Sequence, residues 1–133
     1  MKGGNLNLRG NNMSTEQENF WKGEFGDDYI ARNKSKSLLA ANLALFSEIL
    51  KKTGPIQSVL ELGCNVGMNL KSLELLSPEL KISGVDINKK AINELKKEKP
   101  GYHLLEQSIL EKIDIEPSDL CFTKGVLIHI NPD

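Results

Sequence analysis

The 133-residue chain is poor in cysteine, net charge and long apolar runs, and each shortage excludes a class of protein. Its two cysteines, Cys64 and Cys121, are too few for a disulfide-stapled secreted domain and form no CxxC metal pair. A net charge of -1 gives no reason to expect nucleic acid or an anionic membrane as partner. No apolar run approaches the roughly 20 residues of a membrane span, and the N-terminus lacks the apolar stretch of a secretory signal. We therefore expect a cytoplasmic protein without a metal site.

The length and composition predict one folded domain preceded by two short segments. A hydrophobic content of 39% is enough for a single core. Residues 1–13 are rich in glycine and asparagine, which predicts a disordered head. Residues 14–36 hold four of the seven aromatic residues and predict an N-terminal segment that either caps a pocket or packs on the domain. Residues 37–133 form the main domain.

Apolar runs alternate with amphipathic stretches along the main domain. The predicted strands are residues 58–62, 80–87, 102–106 and 119–124. Strands that alternate with helices form parallel sheets through right-handed crossovers, so the predicted fold is α/β and Rossmann-like. Four strands are few for this architecture, and we expect the sheet to be truncated after the fourth strand.

Three amphipathic helices are predicted to flank this sheet. Their predicted core residues are Leu39, Leu43, Phe46 and Leu50 in the first helix, Leu70, Leu73 and Leu76 in the second, and Ala91, Ile92 and Leu95 in the third. Gly54 and Pro55 end the first helix, and Asn88 is a suitable N-cap for the third.

The stretch from Val59 to Gly67 combines a buried strand with a glycine turn. An apolar run ends at Glu61, and Gly63 and Gly67 follow two and six residues later. Asp86 stands nineteen positions after Gly67, at the end of the next apolar run. This order is typical of a strand, a tight turn into a helix, and a second strand whose terminal carboxylate holds a ribose. It predicts a cofactor that contains a nucleoside.

The spacing of the glycines distinguishes two such cofactors. The dinucleotide pattern G-x-G-x-x-G, counted from Gly63, needs glycines where the chain has Asn65 and Met68. The pattern for S-adenosylmethionine, acid-x-G-x-G-x-G, is matched at Glu61, Gly63 and Gly67 and departs only at Asn65. Asparagine tolerates positive φ better than most residues, so this departure is mild. The spacing favours S-adenosylmethionine over NAD.

Each residue of the motif has a predicted role toward this cofactor. Gly63 and Gly67 let the backbone approach the methionine part without a Cβ in the way. Glu61 either orients the amides of the turn or reaches the ammonium group of the ligand through water. Asp86 accepts hydrogen bonds from both ribose hydroxyls, and Ile87 lies against the adenine face.

The segment after the third strand is predicted to face the adenine amino group. Ser108 stands where an acid commonly meets that group, and it is a weaker substitute for an acid. The backbone amide of Ile109 or Leu110 is the alternative reader of the base. Asn65 in the turn and Lys124 after the fourth strand complete the predicted cofactor-binding residues, although Lys124 can also meet an acidic sugar or simply face solvent.

Four segments resemble one branch of the class I S-adenosylmethionine-dependent methyltransferases, the methylases associated with pseudaminic acid biosynthesis. They are residues 16–21, 24–30, 61–67 and 122–133, and the resemblance runs from about Ser14 to the end. Asn65 in place of glycine resembles a feature of this branch. The resemblance implies a cytoplasmic enzyme that methylates a small molecule, a sugar or nonulosonic acid intermediate, and it implies a missing C-terminal half.

Candidates for the chemistry follow from what methyl transfer requires, which is alignment of nucleophile, methyl group and sulfur away from water. His129, just past the fourth strand, is the candidate general base, and a structural tie to a carbonyl is the alternative. Trp21, Tyr29 and Arg32 are candidates for a lid or for the acceptor site, with an ordinary surface as the alternative. A module that binds the cofactor without turnover is the second functional hypothesis. The acceptor and the oligomeric state stay open.

Overall fold

The computed structural model of the chain describes residues 15–23 and 36–125. Its helices are α1 (Glu16–Lys22), α2 (Lys36–Thr53), α3 (Met68–Leu76) and α4 (Lys89–Glu98). Its strands are β1 (Ser58–Leu62), β2 (Lys81–Asp86), β3 (His103–Glu106) and β4 (Leu120–Phe122). The predicted α/β class is confirmed. β1 has the predicted bounds, and the other three strands are shorter than predicted.

The strands of the described residues form one parallel sheet in the order β3-β2-β1-β4. Leu60 in β1 lies opposite Ser83 in β2 on one side and opposite Cys121 in β4 on the other. Asp86, the last residue of β2, lies opposite Glu106, the last residue of β3. Because the strands are parallel, their carboxyl ends share one edge of the sheet, where ligands bind in folds of this type.

The core lies between the sheet and the helices that connect its strands. Leu73 of α3 and Ala91, Ile92 and Leu95 of α4 are 0% exposed, as predicted. The prediction for Leu76 is wrong, since this residue is 37% exposed. Six residues of α-helix turn through about 600°, so Leu76 points roughly 120° away from the direction of a residue six positions earlier. It is also the last residue of α3.

Helix α2 packs against α3 and reaches β4 through one aromatic contact. Phe46 is 2% exposed, and its ring centroid lies 5.3 Å from that of Phe122 in β4. Leu39, Leu43 and Leu50 are partly buried, and Leu50 packs against the core. The predicted core face of α2 is therefore deepest at its centre.

Some predictions concern residues outside the described ranges. The disordered head of residues 1–13 lies wholly outside, as do most of the cap segment and the chain after residue 125. Helix α2 begins at Lys36, the last residue of the predicted cap segment. No helix in the described ranges has the length and apolar character needed to cross a membrane.

Candidate functional site

The turn between β1 and α3 has the backbone that its glycine pattern predicts. Gly63, Asn65 and Gly67 have φ values of 83°, 51° and 77°. Asn65 therefore occupies a left-handed position, which agrees with its expected tolerance of positive φ. The N–H groups of Gly63 and Cys64 both donate to the Val85 carbonyl, at 2.7 and 3.0 Å, and fasten the turn to β2.

Gly67 has a packing role as well as a conformational one. A Cβ at this position would stand 2.7 Å from Cδ2 of Leu95, a fully buried residue of α4. The space that glycine leaves here is therefore filled by the neighbouring helix. Gly67 lets the start of α3 and the middle of α4 approach each other closely.

Cys64 in the same turn is a packing residue. It is 3% exposed, and its Sγ lies where a Cβ on Gly84 of β2 would come within 2.8 Å. Burial raises the pKa of the Cys64 thiol. The neutral thiol thus fills the gap that glycine leaves in β2, as expected for a cysteine without a nucleophile's partners.

Asp86, the predicted ribose residue, joins the turn after β1 to the turn after β2. Its Oδ2 accepts a hydrogen bond from the Asn65 N–H at 2.7 Å, and its Oδ1 accepts one from the Asn88 N–H at 2.8 Å. Burial raises the pKa of the Asp86 carboxyl, although the N–H groups of Asn88, Asn65 and Ile87 oppose this shift. Each carboxylate oxygen has about two acceptor sites, so both oxygens retain capacity for hydroxyl donors.

Glu61 in β1 is a fully buried carboxyl group, 0% exposed. Its Oε2 accepts from the Asn69 side-chain amide at 2.5 Å, and its Oε1 has no partner within the described part of the chain. The pKa of Glu61 is raised to about 8, mainly by burial and partly by Asp86, while Asn69 and Lys124 act in the opposite direction. The group is therefore largely protonated at neutral pH. The donor that orients Glu61 is a side chain rather than an amide of the turn.

Ser108 lies in the loop after β3 and is 8% exposed. Its hydroxyl accepts from the Leu110 N–H at 3.0 Å and donates to the Glu18 carboxylate of α1. The Leu110 amide is one of the two backbone amides predicted to contact adenine, and its N–H already donates to Ser108. The Gln107 side-chain amide donates to the carbonyl of Lys112 at 3.1 Å and is also engaged within the loop.

The other predicted cofactor residues occupy the same edge of the sheet. Ile87 directly follows β2, Ile109 follows β3, and both are partly buried. Lys124 lies two residues beyond β4 and is exposed, yet its charge lowers the pKa of Glu61. In residues 15–23 and 36–125 no group of three or more His, Cys, Asp or Glu side chains is arranged to hold a metal ion.

The candidates for acceptor binding and catalysis fall outside what the structure describes. Trp21 belongs to α1, but its side chain lies outside the described part of the structure. Tyr29, Arg32 and His129 lie in the undescribed ranges. Their roles stay predictions.

Sequence reasoning missed two residues at this edge, Asn69 and Glu18. Asn69 is the second residue of α3, and no spacing rule links it to Glu61 eight positions earlier. Thr15 and Glu18 do carry a local signal, the capping box of a helix start. The contact between Glu18 and Ser108, 90 positions apart, has no signature in the sequence.

Comparison with known proteins finds likeness at the level of the fold. No family model and no curated protein sequence matches the chain. The plantazolicin methyltransferase BpumL in complex with SAH, the demethylated cofactor S-adenosylhomocysteine, has 18% identity and a TM-score of 0.60, over 80% of this chain and 44% of that chain. The magnesium protoporphyrin IX methyltransferase ChlM from Synechocystis PCC 6803 with bound SAM, S-adenosylmethionine, has 14% identity and a TM-score of 0.65, over 91% and 67%.

DesVI of Streptomyces venezuelae is a third similar structure, with 14% identity and a TM-score of 0.58 over 77% of this chain and 43% of that chain. The fold is Rossmann-like, as in the BpumL and ChlM structures. At such low identities the likeness concerns the fold alone. The chain spans 44–45% of the length of BpumL.

Proposed function

We propose that the chain binds S-adenosylmethionine along the carboxyl edge of the sheet and forms the cofactor-binding part of a methyltransferase. The observation that carries this proposal is the 2.7 Å hydrogen bond from the Asn65 N–H to Asp86 Oδ2. It brings the glycine turn and the strand-end carboxylate, the two halves of the sequence motif, into direct contact. The fold shared with methyltransferases crystallised with SAM or SAH supports the same proposal.

The ligand lies across the ends of three strands in this proposal. The turn of Gly63, Asn65 and Gly67 follows the methionine part, and Asp86 accepts from the ribose hydroxyls. Ile87 packs against one face of the adenine. The loop of Ser108 and Ile109 borders the far side of the base. These positions follow the strand order, because β1, β2 and β3 are adjacent in the sheet.

Two ionisable side chains, Glu61 and Lys124, fit the amino-acid end of the ligand, which carries an ammonium and a carboxylate group. Glu61 Oε1 is a buried acceptor without a partner in the described ranges, and we assign the ammonium group to it. Lys124 is an exposed cation whose charge acts on Glu61, and we assign the ligand carboxylate to it. An ammonium group beside Glu61 favours the charged carboxylate, so binding at neutral pH releases a proton.

The bound cofactor would supply a methyl group activated by its sulfonium sulfur. The residues of the chain align the acceptor with that group and exclude water. In our proposal His129 removes the acceptor's proton, and Trp21, Tyr29 and Arg32 cover the site or bind the acceptor.

The proposed acceptor is a small molecule of a sugar or nonulosonic acid pathway, such as that of pseudaminic acid, in the cytoplasm. The resemblance of residues 16–21, 24–30 and 122–133 to methylases of that pathway supports this assignment. The alternative is a module that binds the cofactor or its demethylated product without turnover. That alternative shares the proposed cofactor contacts with the enzyme hypothesis and differs from it only in the absence of methyl transfer.

Calorimetric titration with S-adenosylhomocysteine tests the binding proposal. We expect affinity in about the micromolar range for the native chain. Asp86→Asn should bind about 10-fold to 100-fold more weakly, because a hydrogen bond to a charged group contributes roughly 1.5–3 kcal/mol. Glu106→Gln is the matched control, since Glu106 is the exposed strand-end acid opposite Asp86. Absence of binding by a folded native chain, or equal affinity in Asp86→Asn, would overturn the proposal.

Transfer of a labelled methyl group separates the enzyme from the binding module. The enzyme hypothesis predicts labelled product with an acidic sugar acceptor and a large loss of rate in His129→Ala, with cofactor affinity unchanged. The module hypothesis predicts cofactor binding without any labelled product. Both outcomes presuppose the binding measured by calorimetry, so the two experiments are done in that order.

A further inference from the structure

The carboxylate of Glu18 is a polar group at this edge to which the proposed cofactor contacts give no role. We infer that Glu18 of α1 accepts the hydrogen bond of the adenine amino group and so selects adenine as the base. The inference rests on the proposed function, because it concerns one end of the same ligand. Glu18 would be a specificity-determining residue supplied by a helix outside the sheet.

The direction of the ligand places its base near Glu18. The methionine part follows the turn after β1, and the ribose meets Asp86 at the end of β2. Since β3 is the next strand beyond β2, the base at the other side of the ribose extends toward the loop after β3. Ser108 of that loop is hydrogen bonded to Glu18, so the carboxylate borders the space that the base would enter.

An adenine amino group is a donor and needs an acceptor, which the loop itself offers poorly. The proton of the Ser108 hydroxyl is directed at Glu18, and one of its lone pairs already accepts the Leu110 N–H. The Gln107 side chain donates through Nε2 to the Lys112 carbonyl, and its Oε1 is a neutral acceptor. A carboxylate is the stronger acceptor, because hydrogen bonds to charged groups are stronger than those between neutral groups.

Glu18 is held in place and still has acceptor capacity. Its Oε1 accepts from the Thr15 N–H at 3.0 Å, and the Thr15 hydroxyl accepts from the Glu18 N–H at 3.0 Å, which fixes the side chain in a capping box. Its Oε2 accepts from the Ser108 hydroxyl. An ionised carboxylate has about four acceptor sites, and these two bonds leave about two for a ligand.

The arrangement divides the reading of the base between two residues. Ser108 positions the carboxylate, and Glu18 provides the acceptor that an acid at the position of Ser108 would otherwise provide. The base would then be enclosed between the loop after β3 and α1. Its recognition consequently depends on a helix that precedes the sheet in the chain.

The test uses two ligands that differ by one functional group. They are S-adenosylhomocysteine and its 6-deamino analogue, in which hydrogen replaces the adenine amino group, and their dissociation constants are measured by calorimetry. We expect the native chain to prefer the amino ligand by about 10-fold or more. Glu18→Leu should bring this preference to about 1, by weakening the amino ligand while affinity for the deamino ligand changes less than about twofold.

Two further variants control for folding and for general effects on α1. Glu18→Gln keeps a neutral acceptor of the same shape and should give an intermediate preference. Glu16→Leu changes an exposed acid of the same helix and should keep the native preference. Circular dichroism verifies that each variant is folded, and Glu18→Gln alone decides the matter if Glu18→Leu does not fold.

Three results would overturn the inference, and one of them would overturn the proposed function as well. A merely structural Glu18 would weaken both ligands equally in its variants and leave the preference intact. A native chain that binds both ligands with equal affinity would show that the amino group is not read, while cofactor binding itself stands. A folded native chain that binds neither ligand would remove the proposed function and the inference together.

Discussion

The carboxyl edge of the sheet has two parts that are held together in different ways. We call the turn after β1 with the end of β2, residues 61–67 and 86–88, the turn part. We call the loop after β3, residues 107–110, with α1 the loop part. Backbone N–H groups of Asn65 and Asn88 hold the Asp86 carboxylate in the turn part. A pair of side chains 90 positions apart, Glu18 and Ser108, holds the loop part.

The difference teaches which contacts a sequence can specify locally. Every group that orients Asp86 lies within a short strand–turn–helix–strand unit, and the turn offers N–H donors whatever its side chains are. The loop part needs two particular side chains brought together by the whole fold. The turn part should therefore be rigid and costly to alter, and the loop part easier to alter.

The largest predicted effect is that of Asp86→Ala on the turn part. The substitution leaves the N–H groups of Asn65 and Asn88 without their acceptor, which costs about 1–3 kcal/mol for each buried donor. We expect a loss of roughly 2–6 kcal/mol in the free energy of unfolding, measured by urea titration. A loss no greater than that of Ser108→Ala would contradict the claim that the turn part is costlier to alter than the loop part.

Alanine substitutions at three glycines test whether packing also stabilises the turn part. Gly67→Ala faces a positive φ and a clash with Leu95, and we expect a loss of about 2–4 kcal/mol. Gly54 has positive φ but no neighbour within 4 Å of a new Cβ, so Gly54→Ala should cost only about 1 kcal/mol. Gly101→Ala meets neither constraint and should be nearly neutral. Urea titration that ranks these three differently would contradict the packing role of Gly67.

The pH dependence of stability tests the buried acid of the turn part. The pKa of Glu61 is about 8 in the folded chain, against an ordinary value of 4.5 for an exposed glutamate. Between these two pH values the folded state therefore binds a proton that the unfolded state has released. Stability therefore falls as pH rises from about 5 to 8, by roughly 3 kcal/mol. Glu61→Gln is a neutral mimic that should remove this slope.

The measurement is the difference in unfolding free energy between the native chain and Glu61→Gln at pH 5, 6.5 and 8.5. Taking the difference cancels the titration of other groups that both proteins share. Equal slopes in the two proteins would show that Glu61 is already ionised in the folded state at neutral pH. In that case binding of a ligand ammonium group beside Glu61 would not release a proton at neutral pH.

Among the residues of the two parts, the smallest predicted effect is that of Ser108→Ala in the loop part. It removes the hydroxyl between Glu18 and the Leu110 N–H, and we expect a loss of about 1 kcal/mol in the free energy of unfolding. Thermal unfolding followed by circular dichroism measures it. Thr53→Ala is a control, because Thr53 is an exposed hydroxyl at the end of α2 whose bonds are local. A loss comparable to that of Asp86→Ala would mean that the loop part is as rigid as the turn part.

The sequence predicts the turn part well because its signals are local. The bounds of β1, the positive φ tolerated at Asn65 and the N-cap at Asn88 each depend on a few neighbouring residues. Asp86 is found by its spacing from Gly67. Even the error at Leu76 is a local one, since a spacing of three and three drifts off the core face of a helix.

The remaining features of the edge depend on contacts that only the fold creates. The Cβ space at Gly67 is filled by Leu95 of the following helix, whereas the sequence indicates only that a glycine is needed. Asn69 reaches Glu61 because α3 begins beside β1. Glu18 meets Ser108 because α1 lies beside the loop that follows β3. None of these pairings follows a period or a motif, so composition and spacing could not predict them.

The measurement that tests the central claim most directly is the response of the backbone amide NMR signals to S-adenosylhomocysteine. We predict saturable shifts in the signals of Gly63, Asn65 and Asn88 in the turn part, together with Ile109 in the loop part. Signals of Lys81 and His103, at the opposite ends of β2 and β3, should stay unchanged. A folded chain whose turn part does not respond, or whose shifts cluster at that opposite edge, would contradict the account.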